Sequence, residues 1–109
     1  MISSDVIRGH LDAIILRLII EKDRYGYEIS KEISLRTNNE FIIKEATLYA
    51  IFQRLEKKEL IESYRGEVSL GSKRKYYRIT TLGKAYYTEK VKEWEATKKI
   101  VDTFTEGLS

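Results

Sequence analysis

The sequence predicts a mainly α fold carrying a small β-hairpin, a winged helix-turn-helix with an added C-terminal dimerisation helix. Three observations predict it. Three short stretches of helical apolar spacing come first. The period then changes over residues 60–79 to that of two short strands rich in Tyr and Ile. A last amphipathic stretch of ~26 residues follows, roughly 39 Å long at 1.5 Å per residue.

Residues Ser4 to Lys22 read as the first helix, with Ser4 in the N-cap position. Val6, Leu11, Ile14, Ile15, Leu18 and Ile19 keep helical spacing, and Leu16 and Ile20 widen the stripe. A helix apolar on two sides needs two partners, one of which is expected to be another subunit. Tyr25-Gly26-Tyr27 breaks the pattern, and a second helix runs from about Tyr27 to Leu35 with Ile29 and Ile33 one turn apart. Thr37-Asn38-Asn39 is turn chemistry, and Phe41-Ile42-Ile43 reads as a short strand.

The third helix, Glu45 to Lys58, places Leu48, Ile51, Phe52 and Leu55 on one face. Its opposite arc carries Ala46, Ala50, Gln53, Arg54 and Lys57, flanked by Thr47 and Tyr49. The hairpin runs Leu60 to Arg65, turns at Ser69-Leu70-Gly71-Ser72, and returns through Lys73 to Ile79. Thr80 or Thr81 then caps the last helix, which reaches about Glu106. On it Tyr87, Val91, Trp94, Val101, Phe104 and Leu108 form a heptad-like seam, with a gap at Thr97 and Lys98. The chain therefore divides at the wing's end: residues 1–79 form the winged unit and residues 80–109 the dimerisation helix, within one compact domain.

Composition narrows the function classes. The 109 residues include no Cys and one His, which removes disulfides, thiolate chemistry and Cys- or His-rich metal sites. Gly-rich phosphate loops and catalytic Ser signatures are absent, so no enzyme, cofactor or metal is expected. No apolar run approaches the ~20 residues of a membrane span, and no basic leader precedes one, so a cytoplasmic location is expected.

The net charge of +3 permits nucleic-acid binding without establishing it. The distribution is more telling. A helix that reads the major groove buries one face and offers hydrogen-bonding groups on the other. Thr47, Tyr49, Gln53 and Arg54 suit that role, and the small Ala46 and Ala50 allow close approach. Lys44 precedes them, and Tyr25 and Tyr27 open the second helix, where free N–H groups suit a phosphate. Lys73, Arg74 and Lys75 lie on the wing, where opposed strands crowd like charges that phosphates would offset. An ordinary solvated surface and an edge-protecting lysine run are the bland readings of the same residues.

Glu45-Ala46-Thr47-Leu48-Tyr49, Arg54-Leu55-Glu56-Lys57 with Leu60-Ile61, Gly71-Ser72-Lys73-Arg74-Lys75-Tyr76-Tyr77 and Thr80-Thr81-Leu82-Gly83 resemble the PadR family of transcriptional regulators. Tyr25-Gly26-Tyr27-Glu28-Ile29 also matches, so the resemblance covers nearly the whole chain. The short length, with a single helix after the wing, is similar to the compact subfamily that includes multidrug-sensing repressors. The resemblance implies a homodimer that binds a pseudo-palindromic operator in double-stranded DNA and represses nearby genes. It also implies a small planar effector at the dimer centre, stacked on a tryptophan whose position Trp94 matches. The expected ligand and dimer surface comprises Val6, Ala13, Leu16, Arg17, Val91, Trp94, Lys98, Val101 and Phe104. Arg17, Lys90 and Lys98 near Trp94 would suit an anionic or neutral ligand better than a cationic dye. His10 is expected to pack near the same surface. The competing reading is a winged-helix protein–protein module that binds no DNA.

Overall fold

The computed structural model describes residues 4–69 and 72–107, without the side chains of residues 4–5, 67–69 and 72–73. Its elements are α1 (Ser4–Ile7), a 3-10 turn (Arg8–His10), α2 (Leu11–Glu21), β1 (Arg24–Tyr25), α3 (Gly26–Arg36), α4 (Glu45–Lys57), β2 (Ile61–Ser69), β3 (Ser72–Ile79) and α5 (Thr81–Thr105). The winged architecture is the one the apolar periods predict. Two expectations need correction. The first helix is broken at the turn containing Gly9. Phe41-Ile42-Ile43 is not a strand but a link between α3 and α4, in which the Thr37 hydroxyl takes both the N–H and the carbonyl of Phe41. The extra strand is β1 instead, which pairs with β3. The cap role of Ser4, the turn residues Leu70 and Gly71, and Leu108 on the seam all lie outside what is described.

The sheet is antiparallel, in the order β1-β3-β2. Ile61 faces Ile79, Tyr64 faces Tyr76 and Arg65 faces Lys75, with an irregularity between Arg65 and Val68. Strand alternation turns Ile61 and Tyr77 into the core. There they meet α4, whose Leu48, Ile51, Phe52 and Leu55 are all buried. The rings of Phe52 and Tyr77 stack with centroids 4.1 Å apart. Burial pushes the Tyr77 phenol up to about 12. Beneath this layer lies α2, which buries Leu11, Ile15, Leu16, Leu18 and Ile19.

The C-terminal end of α2 is closed by a buried arginine. Arg24 Nε donates to the Leu18 carbonyl at 2.7 Å and Nη2 donates to Glu21 at 3.0 Å. A helix-end carbonyl that would otherwise lack a partner is thereby satisfied. Glu21 also accepts from Arg17 at 3.2 Å and from both terminal nitrogens of Arg36. One carboxylate thus ties α2, β1 and α3. At the far end of α3 the Thr37 hydroxyl donates to the Ile33 carbonyl, and Asn38 and Asn39 adopt positive φ, which asparagine tolerates.

Thr80 caps α5, its hydroxyl accepting from Gly83 N–H at 2.9 Å. The backbone of Gly83 approaches β2 so closely that a Cβ there would stand 2.1 Å from the Leu60 carbonyl oxygen. Helix α5 then leaves the body, and from Val91 onward each of its described residues is exposed. The molecule measures 57 × 30 × 21 Å as a result.

Two outcomes are expected. Gly83→Ala must displace the start of α5 and should cost about 1–3 kcal/mol, as overpacking does. A urea midpoint equal to that of the wild type would contradict this account. The second concerns acid. Hydrogen bonds from Arg36 above all, with Arg17 and Arg24, hold the Glu21 carboxyl at about 2 instead of the ordinary 4.5. Because the folded value lies below the unfolded one, the Glu21 contribution is complete above pH 4.5 and fades as pH falls toward 2. Glu21→Gln should therefore flatten the fall of the urea midpoint across that window, and curves parallel to the wild type would refute the assignment.

Candidate nucleic-acid interface and groove

Helix α4 presents the exposed arc expected of it. Ala46, Ala50, Gln53 and Lys57 lie opposite the buried face, and all four are exposed. No carboxylate stands on that arc. Thr47 is exposed on one flank and Lys44 is exposed at the N-cap. Tyr49, on the other flank, is packed as well as exposed. Its ring sits edge-on to Phe52, and its hydroxyl occupies the space a side chain at Gly26 would need. Tyr49 and Tyr27 line one small crease between the starts of α3 and α4, together with Ser30 and Glu45.

Arg54 is exposed as well, but it has a partner within the chain. Its guanidinium forms an ion pair with Asp12 at the start of α2. On α4 it lies two turns beyond Thr47 on the same flank, turned toward the protein's own body.

Arg74 and Lys75 of the wing do not share one surface. In a strand successive side chains point to opposite faces, so Arg74 and Lys75 diverge. Lys75 turns inward and reaches Glu56 of α4 at 3.8 Å, with its ammonium 5.6 Å from the Tyr77 ring centre. The opposition of Arg65 and Lys75 is therefore eased within the chain and needs no polyanion. Arg74 lies on the outer face, its guanidinium 4.4 Å over the ring of Tyr25. Tyr25 packs edge-on to Tyr76, which stacks on Tyr64, and Arg78 covers Tyr64 at 4.9 Å. Gly66 makes this possible, since a Cβ there would sit 2.2 Å from the Tyr76 ring. The hydroxyl of Tyr64 donates to Asp23 at 2.6 Å. Tyr25 is thus half-buried under the wing while Tyr27 is exposed. The backbone of Lys73 pairs with Val68, and its side chain lies outside the described ones.

A groove of about 650 Å³ opens between α1, α2, α3 and α5. Val6, Ala13, Arg17, Val91 and Trp94 line it, as expected. Trp94 is half-exposed and meets His10 edge-on, with centroids 4.8 Å apart. Leu16 must be removed from this surface, because it is fully buried in the chain's own core. Lys98, Val101 and Phe104 lie farther along α5, outside the groove and exposed. The groove's cations are already engaged. Arg17 pairs with Glu21, Arg36 with Glu32 and Lys90 with Glu93.

Sequence reading missed the wall that α3 and its following loop provide, Glu32, Ile33, Arg36, Thr37 and Phe41. The i, i+4 pair Glu32–Arg36 was a visible signal of a charged flank, but nothing local says that this flank faces α5. Asp12 was also missed. It receives Arg54 from α4 and the Tyr86 hydroxyl from α5, partners 42 and 74 residues away in the chain.

The profile of the transcriptional regulator PadR-like family matches residues 15–89. A protein of Lysinibacillus sphaericus, described as uncharacterized, is 75% identical over 108 residues, covering 99% of both chains. The solved structure of a transcriptional regulator from Clostridium thermocellum is 55% identical, with a TM-score of 0.90 over 97% of this chain and 100% of that one. A PadR family transcription regulator from Clostridium difficile is 41% identical, with a TM-score of 0.75 over 88% of this chain and 98% of that one.

Proposed function

Since the chain belongs to the PadR-like family and is a transcriptional regulator, we propose that it acts in the cytoplasm as a homodimeric repressor of a pseudo-palindromic operator. The observation that carries the reading is the carboxylate-free exposed arc of α4. Ala46, Ala50 and Gln53 let the helix enter a major groove closely, with Thr47 and Lys44 beside it. Arg74, stacked on Tyr25, and the exposed Tyr27 supply phosphate contacts next to that helix. Lys73 of the wing is assigned a further phosphate contact. Lys75 and Arg54 are assigned to holding α4 in place, given their partners Glu56 and Asp12.

The dimer is supported by the outer half of α5. Val101 is 51% exposed and Phe104 78% exposed, and they lie one turn apart on one stripe. An amphipathic helix of this length needs a partner for its apolar side, and a second copy provides one by two-fold symmetry. The groove, with its apolar floor and Trp94 wall, suits a small planar effector that would relieve repression. Its cations are paired, so a neutral ligand fits it better than a charged one.

Mobility-shift titration against duplexes selected from a random pool by the wild type tests DNA reading. Ala50→Glu places a carboxylate on the arc without disturbing the core, and should weaken binding by at least about tenfold through like-charge juxtaposition with DNA. Undiminished binding would remove α4 from the interface. Dimerisation has its own test. Phe104→Glu should shift the protein toward monomer in sedimentation velocity at micromolar concentration, and a wild-type dimer distribution would place the interface elsewhere.

A further inference from the structure

Asp12 sits where three helices meet. It lies in the first turn of α2, and its side chain is only 14% exposed. Arg54 reaches it from α4 through an ion pair on one carboxylate oxygen. The Tyr86 hydroxyl reaches the other oxygen from α5 at 3.3 Å. The Tyr86 ring is further flanked by Lys58, just past the end of α4, at 5.8 Å and by Lys90 of α5 at 5.4 Å. A carboxylate near a helix N-terminus is favourable in any protein, but that role needs neither of these distant partners. Enclosing the charge is costly unless it is bonded, and here it is bonded from two different helices.

We propose that Asp12 is a positioning residue that sets the angle between α4 and α5 and thereby the half-site spacing the dimer accepts. The inference rests on the dimeric DNA-binding reading above. Apolar contacts are non-directional and let a packed helix roll by several degrees. Two hydrogen-bonded arms converging on one carboxylate do not, because each weakens steeply as its angle opens. The lever is short enough for this to matter. Recognition helices of a two-fold dimer lie about 34 Å apart, so each is about 17 Å from the axis. If α5 holds the axis, a rotation of α4 by about 10° moves it roughly 3 Å, close to the ~3.4 Å rise of one base pair. Loss of the Asp12 link therefore spreads the accepted spacings and leaves the contacts within each half-site intact.

The experiment uses the full chain and a palindromic duplex selected by the wild type, remade with one base pair added or removed at the centre. A duplex holding a single half-site serves as reference. The wild type should lose at least about tenfold in affinity on either change, the scale of one disrupted contact set. Asp12→Ala and Tyr86→Phe should each lose less than about threefold, with single half-site affinity within about threefold of the wild type. Tyr86→Phe removes one hydroxyl from a folded ring position, so it keeps the test open should Asp12→Ala fold poorly. A folded, dimeric Tyr86→Phe that retains the full spacing penalty overturns the inference. So does a wild type that binds all three spacings equally. A wild type that selects no duplex at all overturns the DNA-binding reading itself, and this inference with it.

Discussion

The stack of Phe52 on Tyr77 is the contact around which the molecule is organised. It presses the buried face of α4 onto the inner face of the sheet, and both rings are almost fully enclosed. Because the α4 face that packs here is committed, the opposite arc is committed to the outside. The exposed Ala46, Ala50, Gln53 and Lys57 are a consequence of that burial. The same stack orients β3, and with it the outer-face row of Arg74, Tyr76 and Arg78. A large-to-small change at Phe52 would act on the site through orientation as well as through the ~3–5 kcal/mol such cavities cost.

Several charges among the described residues bind the framework together. Glu21 gathers Arg17, Arg24 and Arg36 at the junction of α2, β1 and α3. Asp12 joins α2 to α4 and α5, and Glu56 takes Lys75 back onto α4. Most of these pairs are partly exposed, so each alone adds little stability. Their common effect is geometric: directional bonds fix how apolar elements, which pack without much directional preference, are set against each other. Lys75 and Arg54 are held toward the body by such bonds, while Lys44 and Lys57 are exposed before and on the outer arc of α4.

The distal part of α5 is built differently from the rest. Its Thr80 cap and the Gly83 approach weld its first turn to β2, whereas its last turns touch little of their own chain. The groove beside Trp94 lies at the transition between these regimes, with α3 forming one wall and the emerging helix the other. A ligand there would contact both the element that carries Glu21's partner Arg36 and the helix assigned to the dimer. Binding in the groove and the proposed seat of a second copy on α5 are in this way physically adjacent.

The sequence by itself determined most of the elements and the face of α4 that is buried. Apolar spacing of 3, 4 and 7 residues is a local property, so Leu48, Ile51, Phe52 and Leu55 could be placed inward before any fold was known. The same was true of the hairpin, whose strands are marked by tyrosines and a turn, whereas the cap of α5 was open between Thr80 and Thr81 until the structure placed Thr80 there. Tertiary structure alone decided which charges are available. The run Lys73-Arg74-Lys75 reads as one basic patch, yet the pleat divides it, and only the position of α4 shows that Lys75 has a carboxylate to meet. Arg54 reads as an unpaired donor until α2 brings Asp12 alongside, and Leu16 reads as surplus apolar surface until the core closes over it. Phe41-Ile42-Ile43 has the composition of a strand but gives the backbone groups of Phe41 to Thr37, while Arg24-Tyr25 pairs with β3. Except for Thr37, the deciding partner is distant in the chain in each case, and a local period carries no information about distant partners.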